Sequence, residues 1–224
     1  MKTIRQFIAA ETKTISVLIL LSAFSILLLL FRIKLTQSHY FLFLVWNLFL
    51  AGIPFAITSY LKTLKPINTL SLLIIGSVWL VFLPNAPYII TDLFHLRYSS
   101  AHLVWLDTLI IIVFAITGLI LFYKSVFTME CIIKTYVEKR VVAFMLPVLF
   151  ILVGFGVYLG RFLRFNSWEI INKPWTIITT ILEILTQPRT HSAAWFFTIC
   201  FGLFLCVCYY AIKTNYTTNK KASH

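Results

Sequence analysis

Two stretches gather the polar side chains with the clearest chemical capacity. The first begins with Phe82 to Leu96, FLPNAPYIITDLFHL, and runs on to Asp107; it contributes Asn85, Asp92, His95, His102 and Asp107. The second, Tyr158 to Lys173, reads YLGRFLRFNSWEIINK and contributes Arg161, Arg164, Asn166 and Glu169. Asp92 and His95 stand three apart, which lets them share a face, and a carboxylate that orients an imidazole is the arrangement of a general base. With His102 the same pair offers oxygen and imidazole donors for a divalent metal, although D-x-x-H is a short pattern that also arises by chance. Arg161 and Arg164 are also three apart and share a helix face if the helix carrying them extends that far. Two guanidinium forks on one face suit a phosphate or carboxylate, and snorkelling to lipid headgroups is the plainer use of such residues.

Asp107 lies about four residues inside an apolar run. A carboxylate there costs several kcal/mol unless paired, hydrated or protonated. Arg161 or Arg164 is the expected partner, either as a lock between helices or as part of a site. Asn166 and Glu169 fit a helix N-cap with a glutamate at its third position, which explains them locally. The candidates for catalysis are therefore Asp92, His95 and Asp107. Those for ligand binding are Asn85, Asp92, Asp107, Arg161, Arg164 and Asn166, and the weak metal candidates are Asp92, His95 and His102. No nucleophile motif, phosphate-cradling glycine loop or zinc signature accompanies them, so the cofactor stays open.

The elements that must position these groups belong in lipid. The chain has 224 residues, 60% hydrophobic and 12% charged, with a mean hydropathy of +0.93. Ordinary soluble domains carry roughly twice that share of charge. Six apolar runs near the ~20 residues needed to cross a bilayer fall at about 14–31, 39–60, 70–90, 103–123, 141–159 and 193–212, in one membrane domain with a polar tail over 213–224. The first run ends in Arg32-Ile33-Lys34 without a small-x-small cleavage site, so it reads as a retained signal anchor. Pro54 is an expected kink. Pro84 and Pro87 remove two amide donors and are expected to push Leu83 and Ala86 out of the α region, unwinding the third span at its end. Residues 174–188 read as a short amphipathic helix in the interface, with Ile178, Ile181, Leu182 and Leu185 on the apolar side. Gly154, Gly156 and Gly160 offer small-residue packing, Gly156 and Gly160 in a G-x-x-x-G spacing. The fold class is thus all-α integral membrane.

The net charge of +12 fits this picture better than nucleic-acid binding, because Lys and Arg sit at the ends of the apolar runs. Of the 19 Lys and Arg, twelve fall on one side and seven on the other, which favours both termini in the cytoplasm and places the two polar stretches on the outer face. The four cysteines have neither C-x-x-C spacing nor paired histidines and read as small apolar residues.

FLPNAPYIITDLFHL, then Trp105-x-Asp107 and YLGRFLRFNSWE, resemble a family of bacterial multi-pass membrane proteins known by a domain of unknown function. That family's second block has a tryptophan and an aspartate where this chain has Phe165 and Glu169, changes that keep the chemical type. The resemblance implies a bacterial cytoplasmic-membrane protein and no particular activity. A site for an anionic small molecule or lipid headgroup on the outer face is the leading reading of the residues. A membrane enzyme acting on a lipid-linked substrate, a small transporter and a structural or accessory subunit are the alternatives. Whether the chain is an enzyme, and its oligomeric state, stay open.

Overall fold

The computed structural model describes residues 2–64 and 67–222, with side chains described over 14–64, 67–170 and 172–214. The side chains of Lys2, Arg5, Lys13 and Lys65, and those of the tail beyond Thr214, lie outside that set. Every regular element among the described residues is helical. Six helical stretches are long and apolar enough to cross a membrane: Thr14–Thr36, Tyr40–Thr63, Thr69–Tyr98, Val104–Ile133, Lys139–Arg161 and Ser192–Thr214. The chain divides into two compact units, Met1–Ile132 and Ile133–His224.

The first unit contains α1 (Lys2–Thr36), a 3-10 turn (Tyr40–Leu42), α2 (Phe43–Thr63), α3 (Thr69–Phe82), α4 (Asn85–Tyr88), a 3-10 helix (Ile89–Tyr98) and α5 (Val104–Ile133). The prolines do not unwind the chain. Leu83 stays helical at φ −56° and ψ −39°, Pro84 follows at φ −60° and ψ −24°, and Ala86 lies inside α4. The reason is positional. Pro84 and Pro87 sit at the start of a new helical segment, where the first amides have no intrahelical acceptor to lose. Hydrogen bonding tightens across the junction instead. Ala86 N–H donates to Leu83 O at 3.3 Å, and the Asn85 side-chain amide donates to Phe82 O at 2.9 Å. The Phe82 carbonyl, deprived of the Ala86 amide, is thereby satisfied by Asn85.

Beyond α4 the helix narrows to ten residues of 3-10 geometry, an unusual length for that form. Its threefold period eclipses residues three apart, so Asp92 and His95 stack on one edge. Helix α5 runs past the expected end of its span at 123, through Lys124 and a buried Glu130, to Ile133. A buried polar knot joins three helices of this unit. The Trp79 indole N–H donates to Ser125 Oγ at 2.8 Å, and Ser125 and Thr58 hydroxyls are 3.3 Å apart. Trp79 buries its rings while its one polar atom is satisfied, and the contact ties α3 to α5 and α2.

The second unit contains α6 (Lys139–Arg161), α7 (Glu169–Asn172), α8 (Pro174–Thr186) and α9 (Ser192–Ala222). Of the three glycines expected to pack closely, Gly154 does so, against α9 and its Gly202. A Cβ on Gly154 would lie 2.6 Å from Thr198 O, and one on Gly202 would lie 2.8 Å from Ile151 Cδ1 and 2.9 Å from Phe150 O. Backbones of α6 and α9 therefore touch. Helix α8 has two apolar faces where the sequence suggested one. Ile177 and Ile184 are buried, with Thr180 and Ile181 half-buried beside them, while Trp175, Ile178, Leu182 and Leu185 are exposed. Thr176, Thr179 and Glu183 form the polar remainder. One stripe seats the helix on protein and the adjacent apolar one is exposed.

Candidate functional site

Arg32, Asp107, Asp92 and His95 lie towards one end of the first unit's spans. Helix α1 brings Arg32, 7% exposed, and the first turn of α5 brings Asp107, wholly buried. Arg32 Nε donates to Asp107 Oδ1 at 3.0 Å and Nη2 donates to Oδ2 at 3.4 Å, a forked pair. The turn after α1 helps hold the fork. Gln37 adopts φ 52° and ends the helix, which lets Ser38 O accept from Arg32 Nη1 at 3.3 Å. The Phe41 ring lies 4.7 Å from the guanidinium carbon. The partner of Asp107 is thus Arg32, not the expected Arg161 or Arg164. Arg32 ends the first apolar run, so it arrives at the same membrane end as the start of α5 by simple up-and-down topology.

A second chain of contacts runs beside this pair. Asp92, 1% exposed, accepts from the Asn47 side-chain amide at 2.9 Å. Its other oxygen lies 3.9 Å from His95 Nε2. His95 Nδ1 is 3.0 Å from the Tyr40 hydroxyl. Phe43 packs on the imidazole at 4.7 Å between ring centroids, and Tyr98 closes the edge at 6.1 Å from Tyr40. The sequence spacing of Asp92 and His95 thus brings the carboxylate to 3.9 Å from the imidazole, beyond hydrogen-bond length. Tyr40 and Asn47 were not singled out as site residues. Tyr40 reads in sequence as an interfacial anchor, while Asn47, an amide inside an apolar run, was the available signal. Asn85 serves the proline junction. His102 is exposed on the turn before α5. Among the described residues no group of three His, Cys, Asp or Glu is placed to hold a metal ion.

In the second unit, Arg161 is the last residue of α6 and Phe162 caps it. Arg164 falls beyond the helix at φ 60°, so the two arginines do not share a helix face. The chain turns there, with Phe165 N–H donating to Leu159 O at 3.1 Å. A left-handed residue with a Cβ is strained by about 1–2 kcal/mol, which glycine escapes. Arg164→Gly is accordingly expected to fold at least as well as wild type in detergent. A fall in its thermal midpoint of more than a few degrees would show that the Arg164 side chain supports the unit. Glu169 reaches back to accept the Asn166 backbone N–H at 2.8 Å and pairs with Lys173 at 3.2 Å. Half of the expected capping box is thus present, and it starts the short α7, whose first residue is Glu169 itself. The Asn166 amide, followed by Lys173, holds the Glu169 carboxyl below the ordinary carboxylate range.

A family model described as "Protein of unknown function (DUF1361)" matches residues 46–208, and the chain belongs to that family. The matched region contains Asn47, Asp92, His95 and Asp107, and leaves Arg32 and Tyr40 outside it. No curated protein and no solved structure gives a significant match to the chain.

Proposed function

We propose, for this member of a family of unknown function, an acid–base site at the outer face of a bacterial cytoplasmic membrane, both termini lying in the cytoplasm. Its target is an anionic headgroup of a lipid, or a lipid-linked small molecule. The observation that carries this reading is the line Asn47–Asp92–His95–Tyr40, in which a buried carboxylate faces an imidazole that is itself bonded to a partly exposed phenol. Asp92 favours the imidazolium that forms when His95 takes a proton, and Asn47 fixes the carboxylate. Asp107 serves the architecture, since its charge is consumed by Arg32 in a site closed to solvent. Arg161 is a proposed anion contact of its own unit.

The test compares the lipids of cells making wild type with those of cells making His95→Gln at equal protein level, by mass spectrometry of the membranes. The expected result is a change in headgroup-bearing species with wild type that His95→Gln lacks, a rate loss of roughly a hundred- to ten-thousand-fold. Identical lipid profiles for the two overturn the reading. The face is tested separately with a cysteine at Ser100 in a cysteine-free chain. Labelling by an impermeant maleimide on intact cells is expected, and protection until lysis reverses the orientation.

A further inference from the structure

The imidazole does not present a free edge to a substrate. His95 Nδ1 lies 3.0 Å from the Tyr40 hydroxyl and Nε2 points towards Asp92 Oδ1 at 3.9 Å, so both ring nitrogens face side chains of the protein. The tautomer follows from charge. A lone pair on Nε2 would face the Asp92 carboxylate, so the hydrogen is expected on Nε2, with Nδ1 accepting from the phenol O–H. Tyr40 is exposed where His95 is half-buried, and it is the first residue of its apolar span. The Tyr98 ring adjoins it at 6.1 Å, and the Arg97 guanidinium carbon lies 4.6 Å from the Tyr98 ring centroid, which sets a cation on the same rim.

We infer that Tyr40, rather than His95, is the group that meets the substrate, with His95 and Asp92 as the relay behind it. This rests on the acid–base reading above. A substrate hydroxyl gives its proton to Tyr40 Oη as the phenol proton passes to His95 Nδ1. The substrate O–H and the phenol O–H break, a new O–H forms at Tyr40 and an N–H forms on Nδ1. The electron pair stays on the substrate oxygen, which leaves the step as a nucleophilic alkoxide, and Asp92 balances the imidazolium. The substrate class is a hydroxyl-bearing anionic headgroup, whose charge Arg97 meets.

The experiment pairs Tyr40→Phe with His95→Gln in the lipid comparison and adds nitrogen NMR of histidine-labelled protein in micelles. The expected result is that Tyr40→Phe loses activity by at least a hundredfold, as His95→Gln does, with its thermal midpoint unchanged. Full activity in Tyr40→Phe with loss in His95→Gln overturns the inference and leaves His95 as the direct base. Full activity in both removes the acid–base reading itself. The wild-type spectrum decides independently of any variant: His95 is expected as the Nε2–H tautomer with Nδ1 accepting a hydrogen bond, a signature that Tyr40→Phe abolishes. An Nδ1–H tautomer in wild type rules the relay out.

Discussion

Arg32→Met is expected to destabilise the protein by about 3–5 kcal/mol, because it strands a wholly buried carboxylate. The guanidinium makes two bonds to Asp107, one to the Ser38 carbonyl and a stacked contact with Phe41, so no nearby group can replace it without moving the end of α1. The pair itself is a different matter. Removing both charges with Arg32→Met and Asp107→Leu together leaves two apolar side chains in an apolar setting, an exchange that is often close to neutral. Equilibrium unfolding in mixed micelles measures all four corners of the cycle. The expected coupling is large, with the double variant recovering most of the stability lost by Arg32→Met. A cost below about 1 kcal/mol for Arg32→Met would mean that water reaches Asp107 and that the pair behaves like an exposed one. Lack of recovery in the double variant would assign the effect to lost packing around Phe41.

Some of this arrangement was legible in the chain and some was not, for reasons that differ by residue. The six spans and the short α8 follow from the length and apolarity of each run, because lipid tolerates little else. The contact between Asp92 and His95 follows from their spacing, which stacks them in 3-10 geometry even more directly than in an α-helix. The partner of Asp107 could not be read that way. Arg32, Arg161 and Arg164 carry the same fork and all end apolar runs, and sequence distance does not rank them. Tertiary packing, not run order, puts Arg32 beside the start of α5, 75 residues away in sequence. The proline rule failed for a related reason. It describes an isolated pair of residues, whereas Leu83 is wholly buried and its N–H donates to Trp79 O at 2.9 Å. Tertiary packing outweighed the local preference. Helix α8 shows the limit of a single-stripe reading: the pattern finds an apolar arc but does not tell which part of it meets protein and which meets lipid.

A glycine on α5 positions the proline junction. A Cβ on Gly118 would lie 2.6 Å from the Ala86 carbonyl oxygen and 3.0 Å from Ile89 Cδ1. Backbone, not a flexible side-chain tip, stands in the way. Gly118→Ala must therefore push α4 off α5, at a cost of about 1–3 kcal/mol. Two other glycines make the comparison strict. Nothing lies within 4 Å of a Cβ on Gly52 or Gly76, so alanine at either should be neutral or stabilising by about 0.5–1 kcal/mol through helix propensity. The expected order of thermal midpoints is then Gly76→Ala and Gly52→Ala at or above wild type, with Gly118→Ala clearly below. A Gly118→Ala midpoint equal to wild type would show that α4 yields without cost. The displacement has a direction as well as a size. Ile89 begins the 3-10 helix and Asp92 stands one turn beyond it, so pushing Ala86 and Ile89 away from α5 shifts Asp92 against Asn47, which α2 holds. Gly118→Ala should therefore impair the proposed acid–base site more than its loss of stability alone explains, while Gly76→Ala leaves that site untouched.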